Sequence, residues 1–188
     1  MAIRKIVVCI TGASGVIYGL RVIEILTTQE NIETHLVVSK NAKTLLKEEL
    51  GVNEKILYEK VNRFYSDDDL TAPISSGSFK TESMVIVPCS MSTLSKIANG
   101  ISDTLITRTA LVALKERRKL VLVPRETPLA TVHLENMYKL SLQGVVILPA
   151  SPGFYGKQKT FDELVNFVAG KVLDALNVEH DIYPRFKV

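Results

Sequence analysis

The chain has 188 residues, 46% hydrophobic and 23% charged, with a formal net charge of +3. This length and apolar share suit one domain, residues 1–188, with an ample core, and exclude a disordered chain. Lys and Arg are scattered and form no stripe, which argues against nucleic acid; no apolar run nears the ~18 residues that span a bilayer.

In chain order, the apolar run 6–10 reads as a strand buried on both faces. It ends in Thr11-Gly12-Ala13-Ser14-Gly15 and passes directly into an amphipathic helix over about 16–28. Gly12 and Gly15 permit a tight turn, and Ser14 is placed to cap the helix. Free amides and the positive helix end then face whatever lies above the strand, a place for a phosphate or a polar ring edge. The glycine spacing is neither a dinucleotide fingerprint nor a P-loop. A second strand, 34–38, ends in Ser39-Lys40, and a helix runs on to Leu50, with Gly51 as its stop. Residues 52–82 are less regular, with 66–73 and 75–78 reading as loops. A strand at 84–87 closes in Pro88-Cys89-Ser90-Met91-Ser92-Thr93, and helices follow at about 92–99 and 102–115. The strand 120–123 closes in Pro124-Arg125-Glu126-Thr127-Pro128, and a helix covers about 130–142. The strand 145–148 closes in the stretch 149–155, which ends at Tyr155. The last helix, 161–176, opens with Thr160 and Glu163 as a capping box. A tail, 179–188, with Tyr183-Pro184-Arg185-Phe186, either covers a neighbour's pocket or frays as a terminus.

Alternating strands and helices predict an α/β fold with an open parallel sheet and helices on both faces. Right-handed crossovers send every strand's carboxyl end to the same edge, where such sheets bind ligands. All five predicted strands stop in polar or Gly/Pro-rich corners, so hydroxyls, amides and one arginine should converge there. Ser90, Ser92 and Thr93 suit an anion cradle or simple helix capping. Arg125, between two prolines, suits a phosphate or ring carbonyls, against a surface ion pair with Glu126. Tyr155 either lines a pocket or packs. The group Lys115-Glu116-Arg117-Arg118 and the run Asp67–Asp69 read as solvated, and His35 and His133 lack metal-ligand spacing. Cys9 and Cys89 read as small core residues in a reducing compartment. With a short N-terminal apolar run unlike a signal peptide, a cytoplasmic location is expected.

TGASG, VVSK, PCSMST, LKERRKLVLVPRETPL, HLENM and LPASPGFY, in this order and spacing, resemble the UbiX-type flavin prenyltransferases over about residues 4–176. The resemblance implies a three-layer, Rossmann-like or flavodoxin-like sheet, bound FMN, no metal, and a homododecamer. It implies transfer of a dimethylallyl group from dimethylallyl monophosphate to N5 and C6 of reduced FMN. The product, prenylated FMN, would serve a UbiD-type decarboxylase. Carried over, FMN contacts fall on Gly12, Ala13, Ser14, Ser39, Ser90, Met91, Ser92, Thr93 and Arg125. The prenyl-phosphate pocket falls on Tyr155 and Lys171, with Lys115, Arg108 and Glu49 as further members. Glu48 adjoins Glu49 and leaves the register open. Ser14 and Glu126 match the pair near the reaction centre, and Lys171 stands where relatives often carry Arg. Alternative readings are an FMN-dependent decarboxylase and a non-catalytic FMN carrier. The related cysteine decarboxylases carry P-x-M-N-x-x-M-W, which LPASPGFY replaces here.

Overall fold

The structure is a computed structural model that describes residues 2–185. Among these, the strands are β1 (Arg4–Ile10), β2 (Ile32–Val38), β3 (Arg63–Ser66), β4 (Ser83–Cys89), β5 (Lys119–Pro124) and β6 (Val146–Ile147). They form one parallel sheet in the order β3-β2-β1-β4-β5-β6. The helices are α1 (Val16–Leu26), α2 (Lys40–Leu50), α3 (Lys55–Lys60), α4 (Met91–Ala98), α5 (Leu105–Lys115), α6 (Thr131–Leu142) and α7 (Phe161–Ala175).

Period-2 alternation along β1 divides the core in two. Ile6, Val8 and Ile10 join the layer of α1, α2, α3 and α7, while Val7 and Cys9 join that of α4, α5 and α6. Each large apolar side chain so removed from water contributes ~1.5–3 kcal/mol. This is the three-layer parallel sheet that the alternation predicts, and both cysteines are free and buried within it. Burial pushes both thiols up from their ordinary range.

The stretch expected to be irregular contains α3 and β3. β3 is a four-residue edge strand whose Phe64 is exposed and stacks on Tyr58 at 4.2 Å. An edge strand needs no apolar run, so its sequence gives no periodic signal. β6 is shorter than predicted, and α5 begins at Leu105 because Thr104 caps it. The capping box of Thr160 and Glu163 forms as expected. Arg118 is not solvated: it donates to the carbonyls of Phe79 (2.9 Å) and Gly77, tying down the loop before β4.

Beyond α7 the chain folds back onto it, up to Arg185. Asp174 accepts from the Tyr183 hydroxyl (2.6 Å) and Arg185 Nη2 (2.9 Å), with His180 Nε2 at 3.0 Å. Lys171 Nζ also faces it, at 3.8 Å. Burial opposes ionisation of Asp174, but the hydrogen bonds from Arg185 and Tyr183 outweigh it and hold the carboxyl at about 2. A depressed carboxyl contributes stability that is complete above its unfolded value, near 3.8, and is lost as pH falls through about 2. The thermal midpoint of Asp174→Asn is therefore expected below that of the parent at pH 5, with the gap narrowing toward pH 2. A gap that does not change with pH contradicts this.

Candidate functional site

Because all strands run parallel, the corners after β1, β2, β3 and β4 meet at one edge. The chain reverses direction across the sheet between β1 and β4, the switch point where open α/β sheets bind ligands. A crevice of about 390 Å³ opens there, lined by Gly12, Ser39, Ser66, Ser90, Ser92 and Thr93, with Lys43 and Lys96 near its rim. Two corners are tied together at its floor. The buried Thr11 hydroxyl donates to the Pro88 carbonyl (2.9 Å) and accepts from the Ser90 amide (2.8 Å).

The hydroxyls serve two ends. Ser39 caps α2 by accepting from the Ala42 amide at 3.2 Å, and Ser90 caps α4 by accepting from the Thr93 amide at 3.2 Å. The Ser90 hydroxyl also donates to the Thr93 hydroxyl at 3.0 Å. Capping and lining are thus compatible, since both side chains stand at the mouth of the crevice. Met91 and Ser92 open α4, where amides have no partner within the helix. The Met91 side chain and Ala13 are buried, so neither offers more than its backbone to a ligand.

The α1 end differs from expectation. Ser14 does not cap it; Gly15 takes the cap position at φ +95, a left-handed conformation that favours glycine. The Glu49 carboxylate, reaching back from the last turn of α2, accepts from the amides of Gly15 (2.9 Å) and Val16 (3.2 Å). Glu49 rather than Glu48 therefore faces this corner. An internal carboxylate fills the place that the sequence offered to a phosphate. Arg125 crosses from the end of β5, over β4, and donates Nε to the Ser14 carbonyl at 3.2 Å. Among the described residues it forms no ion pair with Glu126. Ser14, Tyr18, Glu49, Arg125 and Phe161 line a second recess of about 300 Å³, on the other side of the TGASG corner. Burial raises the Tyr18 hydroxyl from its ordinary range, and Arg125 opposes the shift.

Asp67 is a correction to the sequence reading. It is not a solvated turn: its carboxylate accepts from the Ile106 amide at 2.9 Å, and its carbonyl from the Leu105 amide at 2.7 Å. Burial raises its carboxyl, against the Ile106 hydrogen bond. Asp67 thereby fixes the start of α5 beside the crevice. His35 is buried and stacks with Tyr65, and His133 Nδ1 accepts from the Ala130 amide at 3.3 Å. Among the described residues no group of three His, Cys, Asp or Glu side chains is set to hold a metal. Nor is any of their helices long and apolar enough to cross a membrane.

The residues assigned to the donor phosphate do not all meet within one chain. Tyr155 lies edge-on to Phe167 at 5.6 Å, and Lys171 follows Phe167 by one turn of α7. Arg108 and Lys115 ride on α5, which packs against the opposite face of the sheet. Arg108 Nε donates to the Ser75 carbonyl at 3.3 Å. Lys115 pairs with Glu116 just before β5 starts, at the amino edge of the sheet. A third hollow, of about 850 Å³, opens at the amino edge beside Arg4, Asn31 and Asn177. Its guanidinium is committed to Glu82 and to the Leu176 and Asn177 carbonyls. It lies at the carboxyl ends of α1 and α7 and so offers, among the described residues, no open helix amides, and its one hydroxyl, Thr28, donates to the Ile25 carbonyl.

A model of the flavoprotein family matches residues 1–173. A flavin prenyltransferase UbiX from Thermoplasma acidophilum is 52% identical over 182 residues, covering 97% of this chain and 99% of that protein. The chain belongs to the UbiX-type flavin prenyltransferases. Among solved structures, a dodecameric FMN-dependent UbiX-like decarboxylase from Escherichia coli O157:H7 aligns with a TM-score of 0.96 and 44% identity. That alignment covers 98% of this chain and 100% of the other. A UbiX protein in complex with FMN and dimethylallyl pyrophosphate gives a TM-score of 0.95 at 42% identity, over 99% and 98% of the two chains. The family and the flavodoxin-like fold inferred from the motifs are thereby borne out.

Thr11, which the sequence reading left inside a turn motif, is the link between the β1 and β4 corners of this family member. Thr11→Val is expected to leave the part-buried Ser90 amide without its side-chain partner, at a cost of ~1 kcal/mol in urea unfolding. An unchanged midpoint with unchanged slope contradicts that role.

Proposed function

We propose that this protein transfers a dimethylallyl group from dimethylallyl monophosphate to N5 and C6 of reduced FMN, and that prenylated FMN passes to a UbiD-type decarboxylase in the cytoplasm. The observation that carries the reading is the convergence of Ser39, the Ser90–Thr93 corner and Arg125 on the edge where the TGASG corner separates two recesses. Hydroxyls, open helix amides and a guanidinium suit the phosphate and polar ring edge of a flavin mononucleotide. The small donor is received beside the flavin, at Tyr155 and Lys171. The UbiX protein crystallised with FMN and dimethylallyl pyrophosphate, 42% identical to this chain, supports the pairing of ligands.

Reduced FMN supplies electron-rich N5 and C6 as nucleophiles. Gly12, Ala13, Ser39, Ser90, Met91, Ser92, Thr93 and Arg125 hold it in place. Tyr155 and Lys171 grip the donor phosphate, and their donors stabilise the charge that gathers on it as the allylic carbon–oxygen bond breaks. Holding both reactants in one site removes much of the entropic cost of their encounter, ~7–11 kcal/mol at best. Phosphate leaves as the first bond forms. The second bond joins C6 to the tertiary carbon of the allyl double bond, whose other carbon gains a proton. Ser14 and Glu126 relay the proton lost from C6 to that carbon. Lys171, in place of a bidentate guanidinium, keeps the charge and loses the planar fork.

Arg108 and Lys115 act from a neighbouring copy in a homo-oligomer, which we propose is a dodecamer like the relative from Escherichia coli. Two features support this: α5 and α7 cannot meet within one chain, and α6 exposes Val132, Leu134, Tyr138 and Leu142 as an apolar face for assembly.

An anaerobic mixture of protein, reduced FMN and dimethylallyl monophosphate is expected to yield flavin heavier by one five-carbon unit. Unmodified flavin would instead indicate a carrier, and carbon dioxide released from an added aromatic acid would indicate a decarboxylase. Glu126→Gln is expected to bind flavin as the parent does and to close the new ring ~10²-fold more slowly in single-turnover spectra. Closure at the parental rate removes Glu126 from the proton step.

A further inference from the structure

The residues after α7 hold a contact that the proposed chemistry leaves unassigned. Tyr183, 7% exposed, lies in a notch above Gly170, where a β-carbon would stand 2.2 Å from the Tyr183 ring. Its hydroxyl is fixed on Asp174, and its ring meets Phe167 edge-on at 5.3 Å. Phe167 in turn meets Tyr155 edge-on at 5.6 Å. Three rings thus run in series from the strap of residues 178–185 to Tyr155. The strap also touches the Tyr155 loop directly, with Pro184 Cγ 3.0 Å from where a β-carbon on Gly156 would sit. Asp174, the anchor, draws Lys171 Nζ to 3.8 Å along the same helix face. Both residues assigned to the donor phosphate are therefore in contact with the strap or with its anchor.

We propose that Tyr183, anchored by Asp174, is a positioning residue that sets Tyr155 and Lys171 for the phosphate of the prenyl donor; this rests on the function proposed above. Tyr183 acts through Phe167 rather than by touching donor or flavin. Edge-on rings resist sliding because each presents its positive rim to its neighbour's negative face. A fixed Tyr155 then loses less freedom when it engages the phosphate. The strap contributes to donor binding and leaves the flavin corners, on the crevice side of the TGASG turn, as they are.

The test compares Tyr183→Leu, which breaks the ring series, with Tyr183→Phe, which keeps the rings and loses the hydroxyl. Gly170→Ala, which wedges a methyl group into the notch, displaces the strap without altering it. In each variant three quantities are read: hydrogen exchange of residues 153–158, the FMN dissociation constant, and KM and kcat for dimethylallyl monophosphate. Tyr183→Leu and Gly170→Ala are expected to speed exchange in that loop and raise donor KM about tenfold. Their kcat and FMN affinity should stay within about twofold of the parent, and Tyr183→Phe, which keeps the ring series but loses the Asp174 anchor, should raise donor KM by an intermediate amount, about threefold. Faster loop exchange with an unchanged donor KM overturns the proposal, because the strap is then only structural. Unchanged loop exchange also overturns it, because the strap and Tyr155 are then uncoupled. If the parent protein transfers no prenyl group, the function proposed above fails. The exchange of residues 153–158, with and without inorganic phosphate, then decides the positioning role by itself: phosphate protection present in the parent and lost in Tyr183→Leu supports it, and equal protection or none refutes it.

Discussion

The structure depends on parallel pairing of its strands, made rigid at the centre by the Thr11 hydroxyl. Parallel pairing alone delivers the strand corners to one edge. It does not fix their relative height, and a corner displaced by an ångström no longer presents its amides to a common ligand. Thr11 sets that height for the two corners that matter most, by bonding β1 to the Pro88 carbonyl and the Ser90 amide at the end of β4. Arg125 extends the same tie to β5 through the Ser14 carbonyl. Three central strands are in this way joined beneath the crevice by polar contacts as well as by the apolar layers on either face.

The electrostatics of the edge follow from which helix ends are already occupied. Glu49 occupies the α1 end, and Asp67 occupies the α5 end. The α2 and α4 ends are capped only by neutral hydroxyls. The α2 and α4 ends therefore offer open amides to the crevice, which Asp67 and Asp68 also line, while Lys43 and Lys96 are paired with Glu54 and Asp103 and the TGASG corner presents backbone and a carboxylate. One corner motif thus separates a hydroxyl-lined recess from one holding Glu49 and Arg125.

Much of this was legible in the sequence, for physical reasons that can be named. β1, β2, β4 and β5 are covered on both faces, so their Val/Ile runs stand out, and their polar corners mark the edge. β3 and α3 were missed because a four-residue edge strand and a six-residue helix bury too little to leave a pattern. Glu49 was named, but its partners at Gly15 and Val16 are more than thirty residues away, and only the fold shows which of two adjacent glutamates reaches them. Asp67 was misread because local composition suggested a loop while its partners lie on α5. Asp174 carries no motif, as a single polar residue near a terminus, and Tyr183 was legible only as part of a tail whose partner, Asp174 of the same chain, the sequence does not name. Lys115 and Arg108 show a different limit: a family motif names residues without saying which copy of the chain they serve.

The central claim is that one edge of the sheet, centred on the β1–β4 switch point, holds the flavin. Hydrogen exchange measured with and without saturating FMN tests it most directly. The account predicts slowed exchange concentrated at the amides of residues 11–15, 39–43, 90–93 and 125–126. Protection centred instead on the amino-edge hollow beside Arg4, Asn31 and Asn177, with those corners unchanged, would contradict it.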